Sequence, residues 1–130
     1  MTAKTPADLR DQVRGQVIVE GDAGYDAARK VHNGMIDKRP AVILRAANAG
    51  DVMTAVNFAR DTGHELSVRG GGHSGPGFGT NDGGVVIDLS LMRGVRVDPK
   101  AQTVRAEGGA TWGDFNSATH AFGLATTGGI

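Results

Sequence analysis

The chain has 130 residues, 21 of them glycine, and its 14 basic and 14 acidic residues give a formal net charge of zero. This balance argues against a nucleic-acid partner, because nucleic-acid-binding domains usually show a basic excess or stripe. Cysteine is absent, which excludes disulfides and thiolate ligands from this sequence. Hydrophobic residues make up 39% of the chain, enough for a modest core.

The two ends of the chain and the lengths of its apolar runs add three expectations. The first fifteen residues are polar and contain no apolar signal core, so we expect a cytoplasmic protein. No apolar run of about 18 residues occurs anywhere, so we expect no contact with a membrane. The chain ends on Gly128, Gly129 and the apolar Ile130, which we interpret as the cut end of a longer protein.

Residues 1–38 are predicted to form a helical arm with two helices around a short extended piece. Thr5 precedes Pro6 and is followed three residues later by Asp8, a capping-box start. Gly15 is the predicted end of this first helix. A second helix is predicted from Asp22, on apolar positions at near-helical spacing: Tyr25, Ala28, Val31 and Met35.

From residue 39 the pattern changes to alternating strands and helices. The apolar run 41–44 predicts a buried strand, and residues 65–69 predict the next one. Asn48 caps the helix between them, which ends at Gly63. Its predicted apolar stripe is Val52, Ala55, Val56 and Ala59. Such a βαβ unit places its two strands parallel, with a right-handed crossover.

The rest of the chain predicts a strand, a hairpin and a helix. Residues 85–89 form the strand, and residues 95–97 and 103–106 form an antiparallel hairpin around the turn signal Asp98-Pro99-Lys100. Thr111 caps a final helix that ends at Gly123. Its predicted apolar face is Trp112, Phe115, Ala118 and Phe122. The predicted fold class is therefore α+β, a βαβ unit followed by an antiparallel hairpin and a helix.

A glycine-rich loop follows the second predicted parallel strand. Eight of the fifteen residues from Gly70 to Gly84 are glycine, and ligands bind at the carboxyl ends of parallel strands. Consecutive glycines can aim several backbone N–H groups at one phosphate. Arg69, just before them, either adds charge or pairs with a nearby carboxylate. A ligand-free surface loop is the alternative interpretation.

Familiar nucleotide motifs do not explain this loop. The segment Gly70-x-Gly72-x-x-Gly75 has the literal spacing of the dinucleotide fingerprint, but Pro76 and further glycines follow where that motif needs a helix. We therefore exclude a Rossmann site, and no Gly-Lys-Ser/Thr sequence supports a P-loop.

Seven other side chains have competing interpretations. His73 stands within the glycine run, where a histidine has little to pack against, so we interpret it as functional. The other histidines, His32, His64 and His120, are expected to be structural or solvent-facing, and their spacing predicts no metal site. We expect Asp88 to be structural, Trp112 to lie in the core and Arg45 to be solvated.

Three motifs in order resemble one enzyme family over residues 16–130. They are Arg69-Gly70-Gly71-Gly72-His73-Ser74, then Val86-Ile87-Asp88-Leu89-Ser90, then Gly108-Gly109-Ala110-Thr111-Trp112. This series resembles the FAD-linked oxidases of the vanillyl-alcohol oxidase and para-cresol methylhydroxylase superfamily, in particular the berberine-bridge-enzyme-like branch. The resemblance implies that residues 39–130 are the N-terminal portion of the FAD-binding domain.

The resemblance also implies a cofactor and its ligands. The loop from Arg69 to Gly75 would wrap the FAD pyrophosphate, and His73 matches the family histidine bonded to the 8α-methyl carbon of the flavin. Gly128 and Gly129 match a segment that runs beside the flavin. The implied binding residues are Arg69, Gly70, Gly71, Gly72, His73, Ser74, Gly75, Gly128 and Gly129.

The function implied is that of an FAD-dependent oxidoreductase acting on a small organic substrate. No residue of this chain matches a catalytic base. Two alternatives stay open at this point: a non-catalytic phosphate- or nucleotide-binding module, and a structural fragment that binds nothing.

Overall fold

The structure is a computed structural model that describes residues 3–130, and a four-stranded mixed sheet is its centre. The helices are α1 (Pro6–Gln12), α2 (Tyr25–Ala28), α3 (Ala49–Thr62) and α4 (Trp112–His120). The strands are β1 (Gln16–Ile18), β2 (Val42–Arg45), β3 (Leu66–Arg69), β4 (Val85–Asp88), β5 (Val95–Asp98) and β6 (Thr103–Ala106). This mixture of helices with parallel and antiparallel strands confirms the predicted α+β class.

The sheet has the strand order β1-β2-β4-β3. Strands β2 and β3 are parallel, as predicted, but they do not touch, because β4 lies between them and is parallel to both. Strand β1 pairs antiparallel with β2. The register aligns Arg45 and Arg69 with Asp88 on either side. Three charged residues therefore meet at the carboxyl end of the parallel strands.

The core lies between the sheet and the helices α1 and α3. Leu9, Leu44 and Ile87 are fully buried there, and a second buried cluster is formed by Ile18, Tyr25, Ala28, Ile43 and Val86. On α3, Ala55, Phe58 and Ala59 are buried, whereas Val56 is 41% exposed. The predicted stripe was therefore wrong at Val56, because the face that meets the sheet is centred on Phe58 instead.

Helix α1 begins as predicted and ends earlier. Thr5 and Asp8 form the capping box, with the Thr5 Oγ1 accepting from the Asp8 N–H at 3.2 Å. The helix ends at Gln12 and Val13 is extended, so Gly15 is not its stop. Gly15 is required for packing instead, because a Cβ there would overlap the carbonyl oxygen of Arg45.

Helix α2 is one turn long, so the predicted second helix was wrong beyond Ala28. Met35 is 90% exposed rather than buried on a helix face. Residues 30–33 leave the helical path and run along the glycine loop, where His32 donates its backbone N–H to the Gly72 oxygen at 3.0 Å. Tertiary contacts therefore override the local periodicity here.

The C-terminal part agrees with the predicted elements. Strands β5 and β6 form the antiparallel hairpin, and Asp98 accepts the N–H groups of Lys100 and Ala101 in its turn. Helix α4 starts at a Thr111 capping box. Gly63 is the C-cap of α3, with the left-handed φ of 72° expected there, whereas Gly123, with φ of 65°, lies three residues beyond the end of α4 at His120.

The division of the chain at residues 38 and 39 stays a prediction, and β1 pairs with β2 across it. Within residues 3–130, no helix is long and apolar enough to span a membrane.

Candidate functional site

The glycine loop follows β3 directly, and part of its backbone lies very close to neighbouring backbone atoms. A Cβ on Gly70 would lie 2.7 Å from the carbonyl oxygen of Gly108, so only glycine fits there without movement. Gly72 and Gly77 have φ of 75° and 79°, in the left-handed region that favours glycine. At Gly70, Gly72 and Gly77 the loop thus follows a path that favours glycine.

Five consecutive backbone N–H groups of this loop have no protein acceptor among residues 3–130. The N–H groups of residues 70–74 donate to no acceptor within the part of the chain that the structure describes. By contrast, Ser74 is an acceptor in the loop: its carbonyl accepts from the Gly77 N–H at 3.0 Å and its Oγ from the Phe78 N–H at 3.1 Å. Such a run of free donors is what an anion-binding loop provides.

The side chain of Arg69, at the start of the loop, forms hydrogen bonds with two other segments of the chain. Its Nη2 donates to Asp88 Oδ2 at 2.9 Å, and its Nη1 donates to the Lys30 oxygen at 3.1 Å. Of the two roles considered for Arg69, pairing with a carboxylate is the one observed. Its guanidinium is therefore an internal support of the loop.

Asp88 is the centre of this support, as its structural interpretation predicted. It also accepts from Arg45 Nε at 3.2 Å and from the Ser90 N–H at 2.9 Å. Arg45 is consequently ion-paired and half-buried, not solvated as expected. Burial raises the pKa of Asp88, but the hydrogen bonds from Ser90 and the charge of Arg69 outweigh burial and lower the pKa below 3.8.

A cavity of about 650 Å³ opens beside the loop, within the usual range for small-molecule sites. Its walls come from three segments, and none of the lining side chains is acidic. The lining residues are Val68–Ser74, Phe78, Gly79, Gly109–Trp112, Gly129 and Ile130.

Seven of the nine residues implied by the family resemblance line this cavity. They are Arg69, Gly70, Gly71, Gly72, His73, Ser74 and Gly129. Gly75 does not line it, and its carbonyl accepts from Asn33 Nδ2 at 3.1 Å. Gly128 does not line it either, because it packs against the ring of Trp112.

Trp112 belongs to the cavity wall, so its assignment to the core was wrong. The ring is 40% exposed and its Nε1 donates to the Gly129 oxygen. This bond fixes the segment 128–130 beside the glycine loop. Phe122, predicted on the same buried face, is 51% exposed.

His73 is exposed at the cavity, and a second histidine lies beside it. The His32 and His73 ring centroids are 4.5 Å apart, with their planes inclined at 38°. No sequence pattern predicts this pair, since the two residues are 41 positions apart and lie on different loops. His64 is structural, stacked on Phe58 at 6.0 Å. Among the described residues, no group of three or more His, Cys, Asp or Glu could hold a metal.

Residues 40–128 match the family described as FAD binding domain. The chain belongs to this family. It is 42% identical over 130 residues to the (R)-6-hydroxynicotine oxidase of Paenarthrobacter nicotinovorans, an alignment that covers 100% of this chain and 28% of that protein. The chain thus spans just over a quarter of this relative's length.

Solved structures agree with the family assignment. The crystal structure of 6-hydroxy-D-nicotine oxidase from Arthrobacter nicotinovorans superposes with a TM-score of 0.81 and 41% identity, covering 85% of this chain and 24% of that one. The berberine-bridge-enzyme-like protein 1 of Physcomitrella patens has a TM-score of 0.71 at 24% identity, covering 78% of this chain and 22% of that one, and shares the fold. The resemblance found in the sequence is confirmed.

The site fits the FAD that the family implies. A diphosphate needs several donors and no nearby carboxylate, and the free N–H groups of residues 70–74 and the non-acidic lining meet both needs. The close approach of Gly70 to Gly108 leaves no room for a side chain that would cover those donors. The exposed imidazole of His73 stands at the same wall.

Proposed function

We propose that this chain forms the diphosphate-binding and flavin-linking part of an FAD-dependent oxidoreductase that acts on a small organic substrate. The FAD is bonded through His73. The observation that carries the proposal is the run of five free N–H groups at residues 70–74, on the wall of a 650 Å³ cavity that His73 shares.

Each part of the site has a separate task in this proposal. The backbone of residues 70–74 binds the diphosphate, and Arg69 with Asp88 keeps that backbone in place. Trp112 and Gly129, joined by a hydrogen bond, line the same cavity. When bound, FAD supplies the acceptor for a hydride from the substrate, and the protein supplies binding and orientation.

His73 is the residue of this chain suited to a covalent link. Its imidazole is exposed at the cavity wall and carries nitrogen atoms that are nucleophilic when neutral. Gly75 and Gly128 support the site indirectly. Gly75 accepts a hydrogen bond from Asn33, and Gly128 packs against the ring of Trp112. In this proposal the protein is cytoplasmic, residues 1–38 are an N-terminal arm, and residues 39–130 are the N-terminal portion of the FAD-binding domain.

Calorimetry tests the binding claim most simply in the His73→Ala variant, because binding there is reversible. We expect FAD to bind this variant, and Gly70→Ala added to it to weaken binding at least tenfold. Gly34→Ala is the matched control, since a Cβ there meets nothing within 4 Å, its φ is not left-handed and it does not line the cavity. The control should stay within threefold of the parent variant.

The same titration separates the alternatives. ATP or NAD binding as tightly as FAD would identify a general nucleotide-binding module. A chain that is folded by circular dichroism and gives no heat with FAD would contradict the proposal.

A further inference from the structure

The segment of residues 30–33 runs along residues 69–75 of the glycine loop and lies outside residues 40–128, which match the FAD binding domain family. Three hydrogen bonds fasten the segment to the loop. They run from Arg69 Nη1 to the Lys30 oxygen at 3.1 Å, from the His32 N–H to the Gly72 oxygen at 3.0 Å, and from Asn33 Nδ2 to the Gly75 oxygen at 3.1 Å.

His32 meets the loop twice, once by its backbone and once by its ring. The backbone bond goes to Gly72, the residue directly before His73. The ring lies 4.5 Å from the His73 ring, centroid to centroid. The backbone contact and the ring contact together restrict the position of the His32 imidazole relative to the His73 imidazole.

An exposed histidine without such a contact would be divided among several conformers. Three staggered χ1 wells and two broad χ2 orientations give about six. A neighbouring ring that favours one of them raises its population up to about sixfold. For His73, the favoured conformer places the imidazole on the cavity wall.

We propose that His32 is a positioning residue that holds the His73 imidazole in the orientation from which it bonds to the flavin. The inference rests on the proposed link through His73. The bond joins the unprotonated imidazole nitrogen of His73 to the 8α carbon; one proton leaves that carbon, and a second leaves the other nitrogen of the same ring. Two electrons pass to the flavin ring and from there, with two protons, to dioxygen, which becomes hydrogen peroxide.

The test measures how fast the covalent bond between His73 and the flavin forms. Chain prepared without flavin is mixed with FAD in air, and samples are precipitated with acid to measure the flavin that stays with the protein. We expect His32→Ala to slow attachment about three- to sixfold, from the conformer count above. His32→Phe, which keeps a flat ring, should remain within twofold of the unmodified chain.

Two controls separate positioning from a change in folding or affinity. His120→Ala removes an exposed histidine on α4, and it should leave the rate unchanged. Reversible FAD binding, measured in the His73→Ala background, should change less than twofold when His32→Ala is added. In the flavin-free chain, a nuclear Overhauser effect should connect the ring protons of His32 and His73.

The outcomes distinguish the two proposals. Acid-stable flavin in the unmodified chain, with an unchanged rate in His32→Ala, would overturn the positioning role and leave the His73 link intact. Equal slowing by His32→Ala and His32→Phe would also overturn it, since the ring contact would not be what matters. No acid-stable flavin in the unmodified chain would overturn the link and the positioning role together.

Discussion

Arg69 donates from Nη2 to Oδ2 of Asp88 at 2.9 Å, and the two side chains are only 8% and 4% exposed. The pair joins the ends of β3 and β4 directly below the glycine loop. Removing one member of a buried pair leaves the other charge uncompensated, which costs about 3–5 kcal/mol.

Asp88→Asn is therefore expected to destabilise the fold by about 3 kcal/mol, measured by urea denaturation. The matched control is Asp61→Asn, whose partner Arg60 is 67% exposed, and it should leave the unfolding midpoint unchanged. Equal midpoints for the two variants would show that the buried pair does not support the loop.

The same carboxylate predicts a pH dependence. Because the hydrogen bonds of Ser90 and Arg69 outweigh burial, the pKa of folded Asp88 lies below 3.8. Its contribution to stability is complete above the unfolded pKa and is lost as the pH falls through the folded one. The gap in unfolding free energy between the unmodified chain and Asp88→Asn should thus narrow below a pH of about 4. A constant gap down to pH 2 would contradict this assignment.

Gly15 predicts a packing effect unrelated to the cofactor. An alanine Cβ there would overlap the Arg45 carbonyl and lie 3.0 Å from Asp51 Oδ2. Gly15→Ala should destabilise the chain by about 2 kcal/mol, as overpacking does. Gly34→Ala, where a Cβ meets nothing within 4 Å, should be neutral or slightly stabilising. Thermal unfolding of both variants measures the difference in stability. An unchanged unfolding temperature for Gly15→Ala would show that Gly15 does not pack tightly against the Arg45 carbonyl.

Trp112 gives an optical signal for the cavity, because it is the one tryptophan of the chain and lines the wall. Titrating His73→Ala with FAD should quench its emission with the same midpoint as calorimetry. Free tryptophan amide, titrated in parallel, corrects for light absorbed by FAD. Heat of binding without saturable quenching would place the flavin away from this wall.

The elements with local signals could be predicted from the sequence. The capping boxes at Thr5 and Thr111 and the glycines at 63 and 123 gave the limits of three helices within a few residues. These signals act within one helical turn, so no knowledge of the rest of the chain is needed.

Features that depend on distant contacts could not be predicted. The insertion of β4 between β2 and β3 is a property of the whole sheet. Residues 30–33 bind the glycine loop about 40 positions away, which ends α2 early and brings His32 to His73. Trp112 resembled a core residue because α4 alone does not show that Gly128 and Gly129 return to its ring.

The direct test of the His73 link is a peptide map. Trypsin cuts after Arg69 and Arg93 and releases residues 70–93, in which His73 is the single histidine. After aerobic incubation with FAD, this peptide should be yellow and heavier by one FAD less two hydrogen atoms. The modification should persist in His120→Ala and be absent in His73→Ala. An unmodified peptide from the unmodified chain, at FAD concentrations that saturate binding, would contradict the account.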